Sequence, residues 1–165
     1  LHDMKLCQEF AKINRRIIQS TICYYMCWEV TKETERFQTI HNYIEYDTNI
    51  VRKGAISAKT GEKVLIPINM RDGCILGIGK GNEDWNYSAP HGAGRTMSRS
   101  KAKESILLEE YQKAMDGIFT TSVNTSTIDE SPMAYKTMDE IIGNIKDTVE
   151  IVDIIKPIYN FKANE

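Results

Sequence analysis

The sequence holds three histidines, and two of them carry neighbours that suit chemistry. His91 follows Pro90 and precedes Gly92-Ala93-Gly94-Arg95. Small residues after an imidazole leave backbone N–H groups uncovered, so a phosphate can approach them and the start of a following helix. Arg95 adds a rigid positive fork that matches phosphate oxygens. A neutral imidazole attacks phosphorus readily and leaves readily, which makes His91 a candidate nucleophile on a nucleotide phosphate. The same five residues also suit a glycine turn beside an idle histidine. His41-Asn42-Tyr43 sets a second imidazole beside an amide, a candidate metal ligand. No other histidine, cysteine or carboxylate stands beside it at ligand spacing, so it is either one member of a scattered site or a structural histidine. His2 reads as a surface residue.

Arg95, Arg99, Lys101 and Lys103 gather cations within a short stretch. They form either a solvated helix start or a patch that meets an RNA backbone beside His91. Tyr135 can stack on a base or simply pack. Cys74 reads as a small strand residue, since nothing in the sequence lowers its pKa.

The elements that must position these groups follow from periodicity. Met4, Cys7, Phe10, Ile17, Ile18, Ile22 and Tyr25 recur at helical spacing, predicting one long amphipathic helix over about 2–30. Thr31 to Arg36 is a charged segment that ends or extends it. Positions 51–58 and 63–68 read as two strands around Lys59-Thr60-Gly61-Glu62, with Gly61 at the left-handed position of a bulged hairpin loop. A third strand is expected over 74–78. The stretch from Gly79 to Gly94 reads as a loop, too polar for a strand and broken by Pro90. Ser98 or Ser100 can cap a helix running to about Met115. Phe119 to Ser131 reads as a connection, Thr137-Met-Asp-Glu140 as a capping box opening a helix to about Lys146, and Val149 to Ile155 as a β-branched strand. This order of elements predicts an α+β fold.

The chain of 165 residues is the size of one domain, with 21 basic and 23 acidic side chains and a net charge of −2. That balance excludes a globally polybasic nucleic-acid reader, so any such contact is local. Cys7, Cys23, Cys27 and Cys74 form no Cys-x-x-Cys pair, which fits reduced thiols in a cytoplasm rather than a zinc or disulfide framework. No apolar run approaches the ~18 residues that span a bilayer, and no signal peptide opens the chain. Leu1 rather than methionine begins it, so the expectation is that it begins inside something longer or that its start has been removed.

Taken in order, Leu1-His-Asp-Met-Lys-Leu-Cys-Gln-Glu-Phe-Ala, His41-Asn-Tyr, Arg52-Lys-Gly-Ala-Ile, Ser88-Ala-Pro-His-Gly-Ala-Gly-Arg-Thr-Met-Ser-Arg and Lys162 resemble the C-terminal part of the RtcB family. These are GTP-dependent RNA ligases that join 3′-phosphate or 2′,3′-cyclic-phosphate ends to 5′-hydroxyl ends. The resemblance covers essentially the whole chain and implies an RtcB-like mixed fold, with residues 1–165 forming the C-terminal part of a single catalytic domain. It implies that His91 becomes guanylylated, that His41 binds Mn2+ and, with Asn42, meets GTP, and that Gly92, Ala93 and Gly94 lie against the nucleotide. Pro67, Ile68, Asn69, Met70, Cys74, Tyr135 and Lys162 fall at further GTP-contacting positions. Arg95, Arg99 and Lys101 are the expected RNA contacts. Partners would be RNA ends, transfer-RNA halves or broken RNA, with an activating protein left open.

The chain departs from the family in three ways. Many members carry Pro-Gly-Ser-Met-Gly-Thr-Ala-Ser where this chain has Pro67-Ile-Asn-Met-Arg-Asp-Gly-Cys74, so a nucleotide-contacting serine position holds Cys74. Lys162 is followed by Ala163-Asn164-Glu165, where members often stop after one glycine. The aspartate, cysteine and two histidines that complete the family's two-metal site lie upstream of the region resembled. Two other readings stay open: a truncated, non-catalytic nucleotide- or RNA-binding remnant, and a metal-dependent phosphohydrolase.

Overall fold

The computed structural model describes residues 1–31 and 34–162. The centre of the charged segment, Lys32 and Glu33, and the tail Ala163-Asn164-Glu165 lie outside the described residues. By its contacts the chain divides into two compact units, Leu1–Gln38 with Tyr43–Arg52, and Thr39–Asn42 with Lys53–Glu165. Helices and small, mainly antiparallel sheets make the architecture α+β. Among the described residues no helix is long and apolar enough to cross a membrane.

The first unit holds α1 (His2–Tyr25) and the hairpin β1 (Tyr43–Glu45) with β2 (Ile50–Arg52). The helix stops five residues before the expected Val30. Cys27 turns left-handed at φ 52°, its amide bonds Tyr24 O, and the Trp28 amide bonds Cys23 O. That is a Schellman closure, here without the usual glycine. The side chain of Gln8 grips β1 through both the Ile44 amide (2.7 Å) and carbonyl (3.1 Å). Arg52 is buried against the Tyr43 hydroxyl and the Glu45 carboxylate. The apolar stripe of α1 is present as the period predicts, yet no residue of the helix is buried, and Phe10 is 72% exposed.

The second unit is built on a three-stranded antiparallel sheet, β4 (Lys63–Asn69), β5 (Gly73–Gly79) and β8 (Val149–Ile155), in the order β4-β5-β8. Alternate residues Val64, Ile66 and Ile68 of β4 and Ile75 of β5 enter the core with Val149, Ile141 and Ile145. Gly73 turns β4 into β5 at φ +86°, and a Cβ there would lie 2.0 Å from Ile155 O. A second cluster packs Ala102 of α2 (Arg99–Ser105) and Tyr111 of α3 (Leu108–Ala114) with Met70, Ile106, Met115, Ile128 and Ala134. Ser98 caps α2, and Thr137 caps α4 (Met138–Asn144).

Several sequence expectations are corrected. The single strand over 51–58 is broken at Gly54 (φ +68°), so β2 pairs with β1 and β3 (Ala55–Ser57) pairs elsewhere. The turn at 59–62 forms, with Gly61 left-handed at φ +79°, but β4 takes β5 rather than β3 as its partner. The partner of β3 lies inside the supposed loop: β6 (Ser88–Pro90) pairs with it antiparallel, Ala55 opposite Pro90. Polarity misled there because the strand is only three residues long and buries Ala89 alone. Finally, the helix expected over 98–115 splits, since Ile106 and Leu107 adopt extended backbone while Ile106 drops into the core. The stretch from 119 to 131, read as a connection, contains the short β7 (Phe119–Thr120), parallel to β9 (Tyr159–Asn160), and a 3₁₀ helix over Thr125–Glu130.

Candidate functional site

Pairing of β3 with β6 carries His91, one residue past β6, to the glycine that precedes β3. His91 Nδ1 lies 2.6 Å from Gly54 O. A carbonyl oxygen can only accept, so Nδ1 carries a proton, and in the neutral ring the lone pair sits on Nε2. The Gly54 amide in turn donates to Asn42 Oδ1 at 2.7 Å, and Asn42 holds a left-handed backbone at φ 59°. Its neighbour His41 stacks on His91, ring centroids 4.7 Å apart and planes 16° from parallel. The two histidine motifs, fifty positions apart in the sequence, therefore form one cluster in the second unit.

His91 opens onto a cavity of about 730 Å³. Its wall runs through Pro67, Ile68, Asn69, Met70 and Cys74 at the β4–β5 turn, then through His91, Gly92, Ala93, Gly94 and Arg95. Tyr135 and Lys162 complete the groups nominated from sequence. Gly73, Glu130, Ile155, Lys156, Pro157 and Asn160 line it too, and sequence reasoning did not nominate them. His41 reaches this wall through its stack on His91, and Asn42 through Gly54. Arg99 and Lys101 are not among the lining residues.

The glycine run differs from the bare phosphate nest expected of it. The Ala93 amide bonds Pro67 O at 3.1 Å, and the Gly94 carbonyl accepts the Lys136 amide. Helix α2 starts only at Arg99, so the run is not a helix N-terminus. A Cβ on Gly92 would lie 3.1 Å from Pro67 O, so this glycine allows the close approach of the two cavity walls.

The cations beside the cleft are paired with acids that the sequence reading missed. Arg95 donates to Asp129 O (2.6 Å), Glu130 Oε1 (2.7 Å) and the Tyr135 hydroxyl oxygen (2.9 Å), and its guanidinium lies 4.7 Å from the Tyr135 ring centroid. Arg99 bonds Asp129 Oδ2 (2.6 Å) and Glu130 Oε1 (2.8 Å), and Lys103 pairs with Asp129 at 3.7 Å. Lys101 is exposed; its backbone amide bonds the Ser98 cap. Asp129 and Glu130 sit some thirty positions away from these arginines, and the only local signal for them was an acid pair ahead of Ser131-Pro132.

Electrostatics follow the same network. Burial, and then the Glu130 carboxylate it donates to, push the Tyr135 hydroxyl up to about 12. Burial acts to raise the Glu130 carboxyl, but the hydrogen bond from Tyr135 and the charges of Lys162 and Arg95 outweigh it, leaving Glu130 below the ordinary range. Burial alone pushes the Cys74 thiol up, which keeps it a neutral wall residue. Lys162 is tied at both ends: its amide bonds Ser122 Oγ at 2.8 Å and its ammonium lies 3.2 Å from Glu130 Oε2. Among the described residues no three His, Cys, Asp or Glu side chains gather as a metal cage.

The family profile described as tRNA-splicing ligase RtcB matches residues 1–163. The chain is 31% identical over 170 aligned residues to the RNA-splicing ligase RtcB of Escherichia coli K12, which covers 94% of this chain and 41% of that protein. The RNA-splicing ligase RtcB1 of a second Escherichia coli strain matches to the same extent. The tRNA-splicing ligase RtcB of Aeropyrum pernix is 41% identical over 86 residues, 49% of this chain and 18% of that protein. The chain thus spans about two-fifths of the length of the curated Escherichia coli relatives it matches. With a family match from its first residue to position 163, the chain belongs to the RtcB family.

Proposed function

We propose that this chain carries the nucleophile and the GTP cleft of an RNA ligase, one that joins 3′-phosphate or 2′,3′-cyclic-phosphate ends to 5′-hydroxyl ends. Nε2 of His91 attacks the α-phosphorus of GTP, a nitrogen–phosphorus bond forms, and the bond to pyrophosphate breaks. The developing charge on the imidazole is met by Gly54 O, which already accepts the Nδ1 proton. The guanylate then passes from His91 to an RNA 3′-phosphate, restoring the neutral ring, and a 5′-hydroxyl displaces GMP. The observation that carries this reading is the single cluster of His91, His41 and Gly54 on the wall of a cavity roomy enough for a nucleotide.

Manganese enters this reading only through the resemblance. His41 is the one side chain it nominates in this chain, and a single imidazole does not hold an ion. The chemistry assigned here is therefore that of His91 and its cleft.

The test is incubation of the chain, and of a protein of full RtcB length containing it, with manganese and GTP labelled at the α-phosphate. A protein adduct that survives alkali, is lost in mild acid and is absent from His91→Ala is expected. Label retained by His91→Ala contradicts the assignment. A second reading is a truncated, non-catalytic nucleotide- or RNA-binding remnant. It predicts GTP binding without labelling in both forms. Phosphate release from a generic phosphoester with no adduct would favour a hydrolase.

A further inference from the structure

Glu130 lines the cleft, and among the described residues four protein donors converge on its carboxylate. Oε1 accepts from Arg95 Nη2 (2.7 Å) and Arg99 Nη1 (2.8 Å), and Oε2 accepts from the Tyr135 hydroxyl (2.8 Å) and faces Lys162 Nζ at 3.2 Å. A carboxylate has about four lone-pair sites, so these four donors occupy it fully. Glu130 therefore does not receive a ligand donor without releasing one of its own.

Two of the groups it holds end in the cavity. Lys162 has a long stem with large rotamer freedom, and an ammonium left loose there would lose that freedom on each binding event. Without Glu130 the Tyr135 hydroxyl would keep Arg95 alone as its partner among the described residues. Glu130 fixes both before any ligand arrives. The pair so formed is an aromatic ring carrying a guanidinium 4.7 Å from its centroid, with an ammonium beside it. Such a pair suits a flat ring with acceptor atoms on its edge. Guanine presents O6 and N7 as acceptors, whereas adenine presents an amino donor where guanine has O6.

We propose that Glu130 is the positioning residue of the purine end of this cleft, fixing Tyr135 and Lys162 as a preformed pair that favours guanine over adenine. The inference rests on the nucleotide reading above and deepens it. Glu130 acts through its neighbours and touches no substrate.

The experiment is calorimetric titration of the 165-residue chain with GTP and with ATP. The unaltered chain is expected to prefer GTP. Glu130→Gln, which keeps the size and loses the charge, should weaken GTP about tenfold and leave ATP unchanged. Glu130→Asp keeps a charge against Arg95 and Arg99, which protects the fold, but cannot span to both Tyr135 and Lys162; it should lose the same preference. Lys162→Met should match Glu130→Gln, and the double variant should lose no more than either single one. A purely structural role would weaken GTP and ATP alike, and the ultraviolet titration of Tyr135, read against Tyr135→Phe, should fall in Glu130→Gln towards an ordinary tyrosine as its hydrogen bond to the carboxylate is lost.

Folded Glu130 variants that bind GTP with unaltered affinity and preference overturn the proposal and leave the nucleotide reading standing. Additive losses in the double variant, or equal GTP and ATP binding by the unaltered chain, also overturn it. If the unaltered chain binds neither nucleotide at millimolar concentration, the nucleotide reading falls and the proposal falls with it.

Discussion

Asn42 shows how one side chain sets the chemistry of another. It sits in a left-handed backbone that most residues resist, and its amide oxygen holds the Gly54 amide whose carbonyl holds His91. Asn42→Ala should cost about 1–2 kcal/mol in urea unfolding, from the lost hydrogen bond and the strained φ together, and Asn42→Gly should cost less. Equal losses would mean the backbone conformation is irrelevant. Titration offers a second check. Tyr135 is raised in the folded state to about 12, so its contribution is present below the ordinary tyrosine range and is lost as pH rises towards that value. Stability should fall on that alkaline limb, and Tyr135→Phe should flatten it. Asp72 is lowered, chiefly by its hydrogen bond from Arg71, so its contribution is present above the ordinary carboxylate range and lost as pH falls through the folded value; Asp72→Asn should flatten the acid limb of a pH-dependent melt. His91 stands out in the sequence because the small residues after it leave backbone N–H groups open, and His41 because an amide stands beside it; each also suits a structural histidine until the ordered motifs are taken together. Glu130 and Asp129 stayed hidden because an acid pair in a polar connection looks like any solvated turn until its arginines arrive from thirty residues away.

The elements divide by whether their partners are local. β8 was read to the residue because a β-branched run needs no partner to declare itself, and α4 declared its start through the Thr137 cap. β3 reads as part of one longer strand and β6 as loop because their pairing joins segments about thirty residues apart, and β6 is too short to carry an alternation. Gly73 is the tightest joint of the central sheet. Gly73→Ala should destabilise by more than about 2 kcal/mol, since the left-handed φ and the Ile155 carbonyl both oppose a methyl group. A loss under half of that would show that the turn relaxes freely. α1 gives the opposite expectation. Its stripe has helical period but buries nothing, so Phe10→Gln or Ile17→Gln should move the thermal midpoint by less than the equivalent of about 0.5 kcal/mol.

Across the molecule, the cleft is assembled from the β4–β5 turn, the segment after β6, the 3₁₀ region before Tyr135 and the segment after β8. No spacing rule links these pieces, which is why periodicity alone reached the elements and not the cavity, while the ordered motifs reached the wall residues. The family match covers nearly all of this chain and about two-fifths of the length of its Escherichia coli relatives, so the proposed binding of a nucleotide in this cleft is the step the chain can be asked about directly. The most direct question concerns the His91 ring. Nitrogen-15 spectra of the histidine side chains should show His91 as the Nδ1–H tautomer, and added GTP should shift its Nε2 together with the amides of Gly92 and Gly94 while leaving His2 unmoved. A His91 ring protonated at Nε2 and unresponsive to millimolar GTP would contradict the account.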